Sequence, residues 1–141
     1  HTPTTFGLNV GGFPGRVDVS GNTFTGTGTP AADAIALHVW LGTSPLTFTA
    51  TENTFTNYSR ALWFADGTND PVSLDATINH NVFDFTIDAP PKVALLTSIK
   101  DVIDARHNQW GHNTDLATVE GYWWLEGFGS GSILLDPITQ P

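Results

Sequence analysis

Four stretches of the chain align without gaps: Val17-Asp-Val-Ser-Gly-Asn22-Thr-Phe24, Phe48-Thr-Ala-Thr-Glu-Asn53-Thr-Phe55, Ala76-Thr-Ile-Asn-His-Asn81-Val-Phe83 and Ile103-Asp-Ala-Arg-His-Asn108-Gln-Trp110. Their asparagines are 31, 28 and 27 residues apart, a period typical of repeat architectures. In each unit the first and third positions are apolar and the second and fourth polar, with the exception of no unit. That is the alternation of a strand with one buried face. The sixth position is always Asn and the eighth always aromatic. A second apolar stretch follows after a variable gap: Ile35 to Val39, Ala61 to Phe64, Val93 to Leu96 and, more weakly, Ala117 to Val119.

A turn Asn in every unit has a physical reason. It tolerates left-handed backbone angles, and its amide both donates and accepts, so copies one rung apart can form a ladder. The aromatic residue two positions on would stack rung upon rung. The expected fold is therefore all-β: a parallel β-helix, or solenoid, of about four coils. It has Asn22, Asn53, Asn81 and Asn108 in an internal ladder and Phe24, Phe55, Phe83 and Trp110 stacked inside. The competing arrangement is an antiparallel sandwich whose hairpins share an N-x-aromatic turn, which the Thr, Gly and Pro content also permits. A helix from about Lys92 to Ile103 is the only other regular element to weigh. Its opening residues already serve the repeat as a strand.

The rest of the composition fits one domain. The chain has 141 residues, 20 Thr, 14 Gly and no Cys or Met, and at that length roughly two-thirds of the unfolded surface can be buried without disulfide or metal. Fourteen acidic residues against five basic ones leave a formal charge of −9. With no Lys/Arg cluster, a nucleic-acid partner and an anionic membrane surface are both disfavoured. No apolar run approaches the roughly 20 residues of a membrane helix, so no membrane insertion is expected.

The repeat and its ending resemble the pectate-lyase-like right-handed parallel β-helix superfamily, in particular secreted and cell-surface bacterial proteins with short parallel β-helix repeats. The likeness runs over roughly residues 15 to 137. It includes Asn108-Gln-Trp110-Gly111 and the later Asp136-Pro137, which look like the close of a last coil in that superfamily. The resemblance implies a right-handed coil and an extracellular or cell-surface location. It implies no single activity, because the superfamily is functionally mixed. Residues 1–16 would form a partial first coil or cap, 17–120 the coils, and 121–141 a capping segment and the start of a linker.

Several residues could carry chemistry. The fifth repeat position gives the column Gly21, Glu52, His80 and His107. Parallel stacking would set its members about 4.8 Å apart, where Glu52, His80 and His107 could hold zinc, with His112 near by. Exposed turn positions accept such residues without any ligand. The loop holding Asp66 and Asp70 could hold calcium, although Asp, Gly and Asn are the ordinary residues of tight turns. No cofactor is required. Catalysis on polysaccharides, by lyase or hydrolase chemistry, is the rival reading that the superfamily raises. The five cations are scattered, and no outward column offers carboxylates in consecutive coils, as retaining hydrolysis would want.

Binding is the stronger expectation. Trp63, Trp123 and Trp124 lie outside the aromatic stack, and exposed flat rings hold sugar faces; for Trp123 and Trp124 the favoured reading is that they cap the last coil, which a finishing solenoid requires anyway. Threonine columns resemble ice-binding arrays but are broken by Asp104, Arg106 and Val82. Asn57-Tyr58-Ser59 is a lone glycosylation sequon. The expected role is a non-catalytic extracellular structural or adhesive module. Its expected partners are polysaccharide or neighbouring copies and domains stacked end to end, because open strand edges are templates for another chain.

Overall fold

In a computed structural model the described residues are all-β apart from one short helix. The structure describes residues 5–11, 15–26, 34–41, 45–56, 60–66, 74–84, 94–97, 102–111, 115–126 and 132–140. Three sheets take their strands in rotation along the chain, and every strand pairing within them is parallel. Sheet I contains β1 (Thr5–Gly11), β4 (Ala34–Leu41), β7 (Arg60–Asp66), β10 (Ala94–Thr97) and β13 (Trp123–Glu126). Sheet II contains β2 (Gly15–Ser20), β5 (Leu46–Thr51), β8 (Leu74–Asn79), β11 (Val102–Asp104) and β14 (Ser132–Leu134). Sheet III contains β3 (Thr23–Thr25), β6 (Thr54–Thr56), β9 (Val82–Asp84) and β12 (Gln109–Trp110). No antiparallel pairing occurs among the described strands, so the sandwich is not what forms.

The repeat positions pair as the sequence predicts. Val17 lies opposite Phe48, Phe48 opposite Ala76 and Ala76 opposite Ile103, and Val19, Ala50 and Ile78 follow in the next inward column. These side chains are buried except Val17, which is partly buried. Phe48 meets Phe64 edge to face, ring centroids 5.2 Å apart and planes at 82°, so sheets II and I share one core. On the outer face of sheet II the polar positions form their own columns, Asp18, Thr49, Thr77 and Asp104 among them.

Two expectations change. Ala117 to Val119 is not a strand but part of α1 (Leu116–Glu120). Asp115 caps this helix by accepting from the Thr118 N–H at 2.9 Å and from its hydroxyl at 2.7 Å, and Gly121 follows it. The fourth unit's sheet I strand is instead β13, which pairs with β10. Residues 137–139, expected to begin a linker, are bound to the preceding rung: His107 N–H donates to Pro137 O at 2.6 Å and Thr139 N–H to Asn108 O at 3.0 Å.

The left-handed turn residue is not the asparagine. Positive φ falls one residue earlier, at Gly21 (67°), Glu52 (58°), His80 (58°) and His107 (59°). Only the first rung places glycine there, the one residue without a Cβ penalty in that region. Glu52→Gly should therefore raise the urea midpoint, by the equivalent of about 0.5–1 kcal/mol after the extra unfolded-state entropy of glycine is counted. A lowered midpoint would show that the Glu52 side chain contributes more than its backbone strain costs.

Candidate functional site

The turn between sheets II and III is built from the asparagines. Asn53 Nδ2 donates to Val19 O at 2.9 Å and to Asn81 Oδ1 at 3.0 Å, while Asn53 N–H donates to the same Oδ1 at 2.9 Å. Asn81 repeats the pattern toward Ala50 O and Asn108 Oδ1, and Asn22 donates to Asn53 Oδ1 from both nitrogens. Asn53, Asn81 and Asn108 are buried and Asn22 is exposed. The Asn-to-Asn contacts are the ladder expected from the repeat. The aromatic column beside it is equally regular: Phe24 on Phe55 at 5.0 Å, Phe55 on Phe83 at 5.0 Å and Phe83 on Trp110 at 4.2 Å, all within 8° of parallel.

Trp123 is 6 % exposed and meets Trp110 edge to face at 5.6 Å. With buried Tyr122, 6.4 Å from Trp110, it covers the far end of the stack. Its ring is a cap rather than an exposed sugar platform. Trp63 is only partly buried, on the opposite face of its strand from the core residues Leu62 and Phe64. Register sets Asn9 opposite His38, His38 opposite Trp63, Trp63 opposite Leu95 and Leu95 opposite Trp124. Two of the predicted ligand residues, Trp63 and Trp124, thus share one register line of sheet I.

His38 and Asn9 complete that line, and sequence reading missed both. His38 Nδ1 lies 2.9 Å from Asn9 Oδ1; since that oxygen can only accept, the hydrogen bond places the proton on Nδ1. The imidazole centroid is 4.8 Å from the Trp63 ring. Burial lowers the His38 pKa from its usual value, because an imidazolium loses hydration there, so the ring is neutral at pH 7. The Trp63 indole N–H has no acceptor among the described residues.

The fifth-position column exists as predicted, with His80 and His107 rings 5.4 Å apart and 11° from parallel. Ring nitrogens carry their lone pairs in the ring plane, so rings stacked face to face do not aim them at a common point. Among the described residues no three His, Cys, Asp or Glu side chains are grouped to hold an ion. Asp66 ends β7, with its backbone opposite Leu41. Asp70 and the rest of the expected calcium turn, together with His112 and the sequon, lie outside the described residues.

Two of the five cations are engaged on their own strand faces. Arg16 Nε donates to Asp18 Oδ2 at 2.9 Å, and Arg106 donates to Asp104 through Nε at 2.9 Å and NH2 at 2.8 Å. Both carboxylates are held below their usual pKa, chiefly by those hydrogen bonds. Asp18 and Asp104 are separated by Thr49 and Thr77 in their column, which at about 4.8 Å per strand puts them roughly 14 Å apart. That is too far for two carboxylates to share one glycosidic bond by the retaining route.

The chain matches no protein-family model, and no significant match to it is found among curated proteins or solved structures. No helix among the described residues is long and apolar enough to cross a membrane.

Proposed function

We propose that the chain is a right-handed parallel β-helix of about four coils, akin to the pectate-lyase-like superfamily. Its role in this reading is that of a non-catalytic extracellular structural or adhesive module that binds polysaccharide along the outer face of sheet I. Support for the coil comes from the rotation of strands among three parallel sheets and from the continuous asparagine ladder. Support for a non-catalytic role comes from Arg16 and Arg106, which are tied to neighbouring carboxylates instead of standing free to take a sugar proton.

The observation that carries sugar binding is the line Asn9, His38 and Trp63. The partly exposed Trp63 ring, packed on buried His38, offers an apolar platform with the exposed Asn9 amide on the same register line. Sugar rings, with apolar C–H faces and hydroxyl rims, match that combination. On a glycan array Trp63→Ala should lower binding by about tenfold, the loss of a ring contact worth roughly 1–1.5 kcal/mol, without lowering the melting temperature as a core substitution would. Incubation with acidic and neutral polysaccharides should release no new reducing ends and no unsaturated products. Turnover of any of them would replace this reading with that of a polysaccharide-cleaving enzyme.

A further inference from the structure

Asn9, His38, Trp63, Leu95 and Trp124 sit on successive strands of sheet I in one register line. Whether such a line is straight depends on how far each rung turns relative to the last. Neighbouring strands of a sheet ordinarily rotate by about 20–25°. Here the stacked rings depart from parallel by only 6°, 6° and 8° along Phe24, Phe55, Phe83 and Trp110, and the pair His80 and His107 by 11°. Rings in equivalent positions turn with their rungs, so the rungs follow one another with little rotation. The asparagine ladder imposes the same constraint, because each amide meets the next in a repeated geometry. Sheets that stay flat are commonly held by side-chain ladders of this kind. The line on sheet I therefore runs nearly straight, with a step of about 4.8 Å and a span of about 19 Å over its four steps.

The line also carries no charge. None of its members is Asp, Glu, Lys or Arg, and His38, the one that titrates, is kept neutral at pH 7 by burial, which lowers its pKa. The chain as a whole stands at −9, so a polyanion is repelled as it approaches and meets no cation on the line. What the line does present is the amide of exposed Asn9 and, two rungs on, the partly exposed ring of Trp63.

We infer that the ligand of this face is an uncharged, straight-chain polysaccharide of β-1,4-linked pyranose units, lying across the strands along the register line with one sugar to a rung. The inference rests on the sugar-binding reading above and adds to it the linkage and the charge of the glycan. A β-1,4 linkage extends the chain into a straight ribbon that advances by close to one rung per sugar, whereas an α-1,4 linkage of the same sugar curls the chain away from a flat face. Successive units of the ribbon are turned over, so alternate units present the same face, and Asn9 and Trp63 stand at that two-rung interval. Ribbon and protein face are both straight before they meet, which keeps the ordering cost of binding low.

The probes are β-1,4-linked oligomers of glucose, mannose and xylose, α-1,4-linked oligomers of glucose, and oligomers of galacturonate, each from the disaccharide to the hexasaccharide, titrated into the whole chain by calorimetry at low ionic strength. At least one β-1,4 series should tighten with length by about tenfold or more and level off near four or five units, about the 19 Å of the line. The α-1,4 and galacturonate series should each be weaker by about tenfold or more. Trp63→Ala should remove most of the gain with length and leave the melting temperature unchanged. The tightest β-1,4 hexasaccharide should shift the amide resonances of Asn9, His38 and Trp63 and not those of Thr49 and Thr77 on sheet II. Equal binding of the two linkages, or tighter binding of the galacturonates, overturns the inference and leaves sugar binding on sheet I in place. Resonance shifts confined to sheet II, or no saturable binding in any series, overturn both.

Discussion

Asn81→Leu should cost about 3–5 kcal/mol and leave the chain largely unfolded at 37 °C. The replacement has similar bulk, so the loss measures hydrogen bonding rather than a cavity. Asn81 is 1 % exposed and links three rungs: its amide donates to Ala50 O, Asn79 O and Asn108 Oδ1, and its Oδ1 accepts two N–H groups of Asn53. Leucine leaves the Asn53 backbone N–H and the Ala50 carbonyl without those partners. An unsatisfied buried group costs about 1–3 kcal/mol, and the losses fall within one connected network. The same change at exposed Asn22 should cost about 1 kcal/mol or less. Urea unfolding of both variants checks the contrast, and equal losses at the two positions would mean that the ladder is not a stabilising unit.

Phe83→Ala should be comparably severe, again about 3–5 kcal/mol, the usual range for a buried aromatic residue removed from a core. Phe83 is fully buried and has a parallel ring on either side, Phe55 and Trp110. Removing it opens a gap in the middle of the column, where neither neighbour can close up without leaving its own rung. Phe24→Ala removes a ring with one stacked neighbour among the described residues and a partly exposed position, so roughly half that loss is expected. Tryptophan fluorescence should register the Phe83 change directly, because Trp110 loses the ring 4.2 Å away. An unchanged emission maximum together with a loss below about 1 kcal/mol would mean that the stack contributes little.

The core was legible in the sequence because it is periodic. Asn22, Asn53, Asn81 and Asn108 and their aromatic partners recur at fixed offsets within each unit, since each fills the same place one rung further on. The left-handed position was misassigned to Asn because both residues of the turn are polar. Gly21, in column with Glu52, His80 and His107, was the sign that the strained angle lay there. The strand Trp123–Glu126 was missed because α1 lengthens the route to it, although Asp115 and Gly121 bracket that helix in the sequence. The line of Asn9, His38, Trp63, Leu95 and Trp124 was invisible for a related reason. Its members lie 29, 25, 32 and 29 residues apart, so loops of unequal length hide a register that only the folded sheet restores.

The parallel pairing of strands from successive units also determines how the chain yields to force. Each rung is held chiefly by its immediate neighbours, so stability is shared out as a series of nearest-neighbour contacts. The strands run across the direction in which the rungs accumulate. Tension applied between the two termini therefore peels the hydrogen bonds of an outermost rung one after another instead of shearing them together. Each release frees the 27 to 31 residues between successive ladder asparagines, roughly 90–110 Å of extended chain at about 3.3–3.6 Å per residue. On the β-helical reading the interior rungs should remain folded while the outer ones give way, so a force–extension trace should lengthen in steps of that size.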